Sequence, residues 1–294
     1  KNALLNARID PASGLRPSVE TSLHNLFSYR FVVHTHMTLV NGLMCSNLAQ
    51  QKSLEIFGAE VLYVPYSDPG YILFKIIAEK IAEYNVKFNR DPKVVLIQNH
   101  GIFVAADTVE EIHRIYAEVK TKIQNTFTVF PEIKEIPVSE KLTEVLPAVR
   151  MLLSDEKLKV ATAFNSSWVN GFILNKVAFE KGIARPFNPD QMVYCMSEYL
   201  FIENSSSPET IIEEAKQKIA EFKNRKGAVP KVIFIQNEGV IVAESSPVSV
   251  EYLKDIVNDF CEIGVLSENF AGPHPLTAEQ AAFIENWEVE NYRK

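Results

Sequence analysis

Two histidines one residue apart, His34 and His36, sit in the run RFVVHTHMTLVNG at 30–42, and a third, His100, lies in LIQNHG at 96–101. Side chains at i and i+2 of a strand share a face, roughly 6 to 7 Å apart, so two imidazole nitrogens can converge on one ion. His100 falls at a turn between two apolar runs, where a side chain can reach outward from a rigid base. Three neutral imidazoles leave an ion's charge intact and keep coordination positions open, which is the pattern of a catalytic rather than a structural metal site. Upstream, Glu20 in PSVETSLH at 17–24 puts a carboxylate at a helix start. Taken alone, His-x-His also reads as two half-buried imidazoles bonded to backbone; with His100 and Glu20 added, the metal reading is the stronger. His24, His113 and His274 stand outside this set and read as surface or packing residues.

The elements that must position these groups follow from the pattern. RFVVHTH alternates, putting Val32, His34 and His36 on one side of a strand and Phe31, Val33 and Thr35 on the other. Ser18, after Pro17, reads as the N-cap of the helix that carries Glu20 and His24. SDPGYILFKIIAEKIAEY places Leu73, Ile76, Ile77, Ile81 and Tyr84 at helical spacing. PKVVLIQNHGIFVAAD reads as strand, tight turn, strand. The helix after it opens with a capping box from Thr108 to Glu111 and turns Ile112, Ile115, Tyr116 and Val119 inward. Mixed strands and helices with a hairpin predict a layered α/β class.

The chain has 294 residues, 47% of them hydrophobic and 23% charged, enough to bury a sizeable core. Its net charge of -7, with no block of Lys or Arg, gives no footprint for nucleic acid or an acidic membrane. Cys45, Cys195 and Cys261 form no CxxC and read as buried packing residues of a reducing compartment. With no apolar run near the ~20 residues that span a bilayer, the cytoplasm is the expected location.

The stretch IAEYNVKFNRDPKVVLIQNHGIFVAAD at 81–107 repeats as IAEFKNRKGAVPKVIFIQNEGVIVAES at 219–245, every residue offset by 138 positions without a gap. At the informative position His100 becomes Glu238. MVYCM at 192–196 is expected to stand for VVHTH, with Tyr194 and Met196 in place of the histidines. The expected organisation is a metal-site domain at 1–130, a linker at 131–142, a degenerate repeat without metal ligands at 143–265, and a C-terminal tail at 266–294.

PSVETSLH, VVHTH and LIQNHG, in this order and spacing, resemble the class II aldolase/adducin family. The resemblance covers about residues 1 to 125. It is strongest to the rhamnulose-1-phosphate aldolase type that bacteria carry as the first half of a chain fused to a short-chain dehydrogenase. It implies a layered α/β/α fold with a central, mainly antiparallel sheet, followed by the degenerate repeat. It also implies a divalent metal ion, zinc foremost, on His34, His36 and His100, with Glu20 as the acid/base. The implied reaction cleaves a ketose 1-phosphate into dihydroxyacetone phosphate and an aldehyde. Relatives use a similar site for epimerisation or decarboxylation, and adducin-like members serve assembly without catalysis. Ser18 matches a phosphate-contacting serine of the family, and its other reading is the helix cap alone. The family's Gly/Asn/Ser-rich phosphate loop is absent from the 16 residues before Pro17, so the domain is expected to lack its N-terminal part. The implied partners are a small phosphorylated sugar and further copies of the chain, as a tetramer. No GxGxxG occurs, so no nicotinamide site is implied.

Overall fold

The offset of 138 is carried into the backbone. In the computed structural model, which describes residues 2–128, 134–155 and 157–286, two mixed sheets repeat one topology. The first unit holds α1 (Asn2–Asn6), α2 (Thr21–His24), β1 (Phe31–Thr35), α3 (Thr38–Met44), α4 (Ala49–Phe57), β2 (Leu62–Val64), α5 (Tyr71–Phe88), β3 (Val94–Ile97), β4 (Gly101–Ala106) and α6 (Val109–Gln124). Its sheet runs β1-β4-β3-β2, antiparallel except for the β2–β3 pair. The second unit holds β5 (Glu135–Ile136), α7 (Glu140–Leu153), β6 (Val160–Ser166), α8 (Ser167–Asn170), α9 (Lys176–Gly182), α10 (Pro189–Cys195), β7 (Leu200–Ile202), α11 (Pro208–Lys226), β8 (Val232–Ile235), β9 (Gly239–Glu244), α12 (Pro247–Ser267) and α13 (Ala278–Asn286). Its sheet runs β5-β6-β9-β8-β7, again with one parallel pair.

Each sheet is covered on both faces, because its strands are apolar on both sides. Ile102, Val104 and Ala106 of β4 pack against α3, α4 and α6, while Phe103 and Ala105 pack against α2 and α5. The second sheet divides in the same way, with Val240 and Val242 toward α12 and Ile241 and Ala243 toward α7 and α11. The helices begin where the residue chemistry allows. Thr108, Ser139, Asn188, Ser207 and Ser246 each accept from a first-turn amide, and Pro189, Pro208 and Pro247 occupy first-turn positions that need no N–H donor. At Thr108 only half of the expected box forms, since the Glu111 carboxylate is drawn away to Lys93 and Arg114.

Several expectations are corrected. MVYCM lies in and just after α10. The strand equivalent to β1 is β6, because Phe31 pairs with Ala106 as Val160 pairs with Glu244. His34 and His36 therefore correspond to Ala163 and Asn165, not to Tyr194 and Met196. Ser18 does not cap α2 directly. Its hydroxyl accepts from the Glu20 amide at 3.2 Å, and the helix starts only at Thr21 with Glu20 at the N-cap position. The stretch expected as a linker is built into the second unit: β5 pairs with β6, and Ser139 caps α7. Of that stretch, 131–133 lie outside the described residues. The expected tail is integral as well. Leu266 and Phe270 belong to the first unit's core, and Leu276 and Ile284 pack with Met192. Residues 287–294 lie outside the described residues.

The two halves meet where α3 lies across α12. A Cβ on Gly42 would stand 2.7 Å from the Leu266 Cβ, so this helix contact requires glycine. Among the described residues, no helix is long and apolar enough to cross a membrane.

Candidate metal centre

His34 leaves β1 on the face covered by α2 and α5, where its ring stacks on Phe103 with centroids 4.1 Å apart. His36 follows on the same side just past the strand end. His100 sits in the tight turn between β3 and β4, and Glu20 at the start of α2. The structure brings all four together: one donor atom from each lies within 4.8 Å of every other. Gly101 makes this approach possible. A Cβ there would stand 2.5 Å from the Thr35 carbonyl oxygen and 2.9 Å from the His36 ring. Gly239 repeats the constraint in the second sheet, 2.6 Å from the Phe164 oxygen.

The imidazoles are oriented for ligation. His34 Nδ1 donates to the Ile102 carbonyl at 2.9 Å, and His36 Nδ1 donates to the Asp190 carboxylate. With Nδ1 protonated, the lone pair of each neutral ring is on Nε2. These two Nε2 atoms face each other at 3.0 Å. Two lone pairs at that separation repel unless a cation or a proton lies between them, so the donor set fits a metal ion. His100 Nε2 donates to Glu20 Oε1 at 3.0 Å, and the same oxygen lies 3.5 Å from His34 Nε2. An ion on His100 Nε2 therefore requires the other tautomer of this neutral ring, with the proton on Nδ1.

The electrostatics agree with this arrangement. Burial alone would raise the Glu20 carboxyl, but the His100 and His34 rings beside it overcome that effect and hold the group well below the usual carboxylate range. Burial pulls His100 down to about 4 against the pull of Glu20, so the ring is neutral at ordinary pH. Burial would also lower His36, yet the bond to Asp190 raises it, and Asp190 is lowered in return.

Asp190 escaped the sequence reading. It lies 154 positions from His36, in the half expected to be inert, and a Pro-Asp pair at a helix start is ordinary first-turn composition. Ser18 is exposed and is not part of the four-residue group. His24 bonds to the Val32 carbonyl and packs on Phe103, His113 is exposed on α6, and His274 meets Asn47. The three cysteines are buried and free.

At the equivalent turn of the second half, Glu238 is closed off. Its carboxylate meets Lys141 Nζ at 2.6 Å and the Ser139 hydroxyl at 2.5 Å, both at the start of α7. An ion pair thus occupies the place of the imidazole cluster. Glu238→Gln is expected to lower the melting temperature, because Lys141 loses its counter-charge in a half-buried place, while metal content and turnover stay at the parent level. Parallel thermal melts, elemental analysis and rate measurements check both halves of that expectation.

Beyond Asp190, α12 adds two more acids. Burial raises Asp259, which accepts from the Thr38 hydroxyl, to about 6, and burial with the Asp259 charge raises Glu262 to about 7. The folded chain therefore keeps protons that the unfolded chain releases near 3.8 and 4.5. Their contribution to stability is present at low pH and is lost as pH climbs through the folded values. The Asp259→Asn, Glu262→Gln double variant is expected to gain stability over the parent above about pH 7 and to match it near pH 4. Denaturant melts across that range provide the check.

Residues 3–124 match the family described as Class II Aldolase and Adducin N-terminal domain. Over 207 residues the chain is 28% identical to the uncharacterized oxidoreductase YuxG of Bacillus subtilis (strain 168), covering 66% of this chain and 29% of that protein. The aligned part thus spans less than a third of that relative's length. Among solved structures, the chain is similar to the N-terminal class II aldolase domain of a conserved protein from Thermoplasma acidophilum, with 27% identity and a TM-score of 0.35 over 42% of this chain and 54% of that one. It is also similar to YgbL of Escherichia coli, a candidate aldolase/epimerase/decarboxylase, with 13% identity and a TM-score of 0.36 over 49% of this chain and 65% of that one.

Proposed function

With residues 3–124 a domain of the class II aldolase and adducin family, we propose that this chain is a metal-dependent carbon–carbon lyase. Its substrate in this reading is a ketose 1-phosphate of the rhamnulose-1-phosphate kind, and its products are dihydroxyacetone phosphate and an aldehyde. The observation that carries the reading is the convergence of three imidazoles and one carboxylate within 4.8 Å, with the two strand histidines held so that their Nε2 lone pairs face each other.

A divalent ion, zinc foremost, would be held by His34, His36 and His100 and would supply Lewis-acid stabilisation for the negative charge that develops on the substrate. The chain's own groups do the rest. Cleavage takes the proton from the C4 hydroxyl, breaks the C3–C4 bond and leaves its electron pair on the ketone fragment as an enediolate, which must gain a proton at C3. In this reading Glu20 is the carboxylate that carries that proton, since its Oε1 lies 3.0 Å from His100 Nε2 and 3.5 Å from His34 Nε2, beside the proposed ligands. Ser18, two residues before it, is the hydroxyl assigned to the substrate phosphate. A cytoplasmic homo-oligomer of tetramer size belongs to the same reading.

The oxidoreductase name of the B. subtilis protein finds no support in this chain's motifs. No GxGxxG is present in the sequence, and among the described residues neither sheet is a parallel doubly wound one. The test is a panel of ketose 1-phosphates given to the zinc-loaded chain, with dihydroxyacetone phosphate measured by a coupled enzyme. Release that chelator abolishes supports the lyase. A zinc-loaded chain that cleaves no member of the panel but epimerises or decarboxylates a sugar phosphate overturns it.

A further inference from the structure

Four consecutive residues of the second half, Phe187 to Asp190, reach His36 and the residue just before His100 in the first. At one end the Asp190 carboxylate accepts from His36 Nδ1. At the other, the Phe187 carbonyl accepts from Asn99 Nδ2 at 2.9 Å, and Asn99 immediately precedes His100. We propose that this segment positions the metal-binding imidazoles across the boundary between the halves, with Asp190 selecting the His36 tautomer whose Nε2 is free to ligate. The inference rests on the metal reading of the site and assigns the second half a part in it.

The segment is built to hold a fixed place. Asn188 is 1% exposed and accepts from the Gln191 amide, while the buried Gln191 side chain accepts from the Phe187 amide. Pro189 fixes its own φ at the first helical position. Phe187 is fully buried in the second half's core, so the carbonyl offered to Asn99 is anchored by packing.

The receiving turn is specialised too. Asn99 adopts a left-handed φ of 54° and is 2% exposed, and its Nδ2 also donates to the His274 carbonyl at 2.7 Å. Its counterpart Asn237 has the same backbone, with φ of 60°, yet is exposed. The cover over the histidine turn is thus a property of one half only. It comes from Phe187 and His274, both on the far side of the repeat boundary.

A carboxylate on the second ring nitrogen of a ligating histidine fixes the tautomer and raises basicity, and its loss typically costs about 10- to 100-fold in metal affinity. The test uses the full chain as parent, Asp190→Ala and Asp190→Asn, with two readouts that need no turnover. The first is the His36 tautomer, read by long-range proton–nitrogen correlation at alkaline pH without metal. The second is Co(II) affinity, from the visible spectrum under chelator competition. The parent is expected to show one Nδ1-protonated form, Asp190→Ala a mixture with about 10- to 100-fold weaker Co(II) binding, and Asp190→Asn an intermediate loss, since its amide oxygen still accepts. Should Asp190→Ala fail to fold, the near-isosteric Asp190→Asn carries the Co(II) readout, where an affinity equal to the parent's counts against the proposal. An unchanged tautomer and unchanged affinity in a folded variant overturn the proposal and leave the metal site standing. A parent that shows the single tautomer yet binds no Co(II) removes the metal reading and shows Asp190 orienting a ring with no ion to serve.

Discussion

His34→Ala is expected to yield a folded chain with no retained metal and no detectable cleavage. His34 is central to the cluster, since its Nε2 lies 3.0 Å from His36 Nε2 and 3.5 Å from Glu20. Removing it takes one of three nitrogen donors and leaves the Ile102 carbonyl without its partner, at a cost of about 1 to 3 kcal/mol. That cost is separable from metal loss. A ligand that binds only the native state adds about 2.7 kcal/mol at a hundredfold excess over its dissociation constant. The parent is therefore expected to melt higher on addition of zinc, and His34→Ala to melt at one temperature with or without it. Elemental analysis after dialysis, paired melts and the coupled assay check the three parts together; full metal occupancy in the variant would remove His34 from the ligand set.

Glu20→Gln is expected to separate binding from turnover. The glutamine keeps the length of the side chain and an oxygen that accepts from His100, so the His100 turn stays in place. It cannot carry a proton. Loss of a positioned acid/base costs roughly 10² to 10⁴ in rate, so turnover should fall in that range while most metal is retained. A variant that turns over like the parent would exclude Glu20 from proton transfer. A variant that loses metal and rate in equal measure would make Glu20 a ligand foremost.

What the sequence made legible was whatever is encoded locally. Alternation in RFVVHTH placed His34 and His36 on one face, and the gapless offset of 138 located β3, β4 and their second copies. The link from β1 to its own copy was lost because strand pairing, not sequence spacing, defines it. ATAFN at 161–165 keeps neither histidine, and the segment after it is longer, so the offset no longer applies. Extending the β4 to β9 match to their ladder partners would have found Ala163 and Asn165. Asp190 could not be read this way, since its bond to His36 depends on how two halves dock. Ser18 falls two residues before the N-cap position, because a serine beside a proline caps a turn as readily as a helix.

The exchange of side chains between the cores bears on cooperativity. Leu266 and Phe270 complete the first half's interior, while Cys45 lies in the second's. Repeat boundaries and units of folding therefore do not coincide. A chain severed between the repeats would leave one fragment with an open cavity and the other with a greasy, unmatched helix end, so the two halves are expected to unfold together.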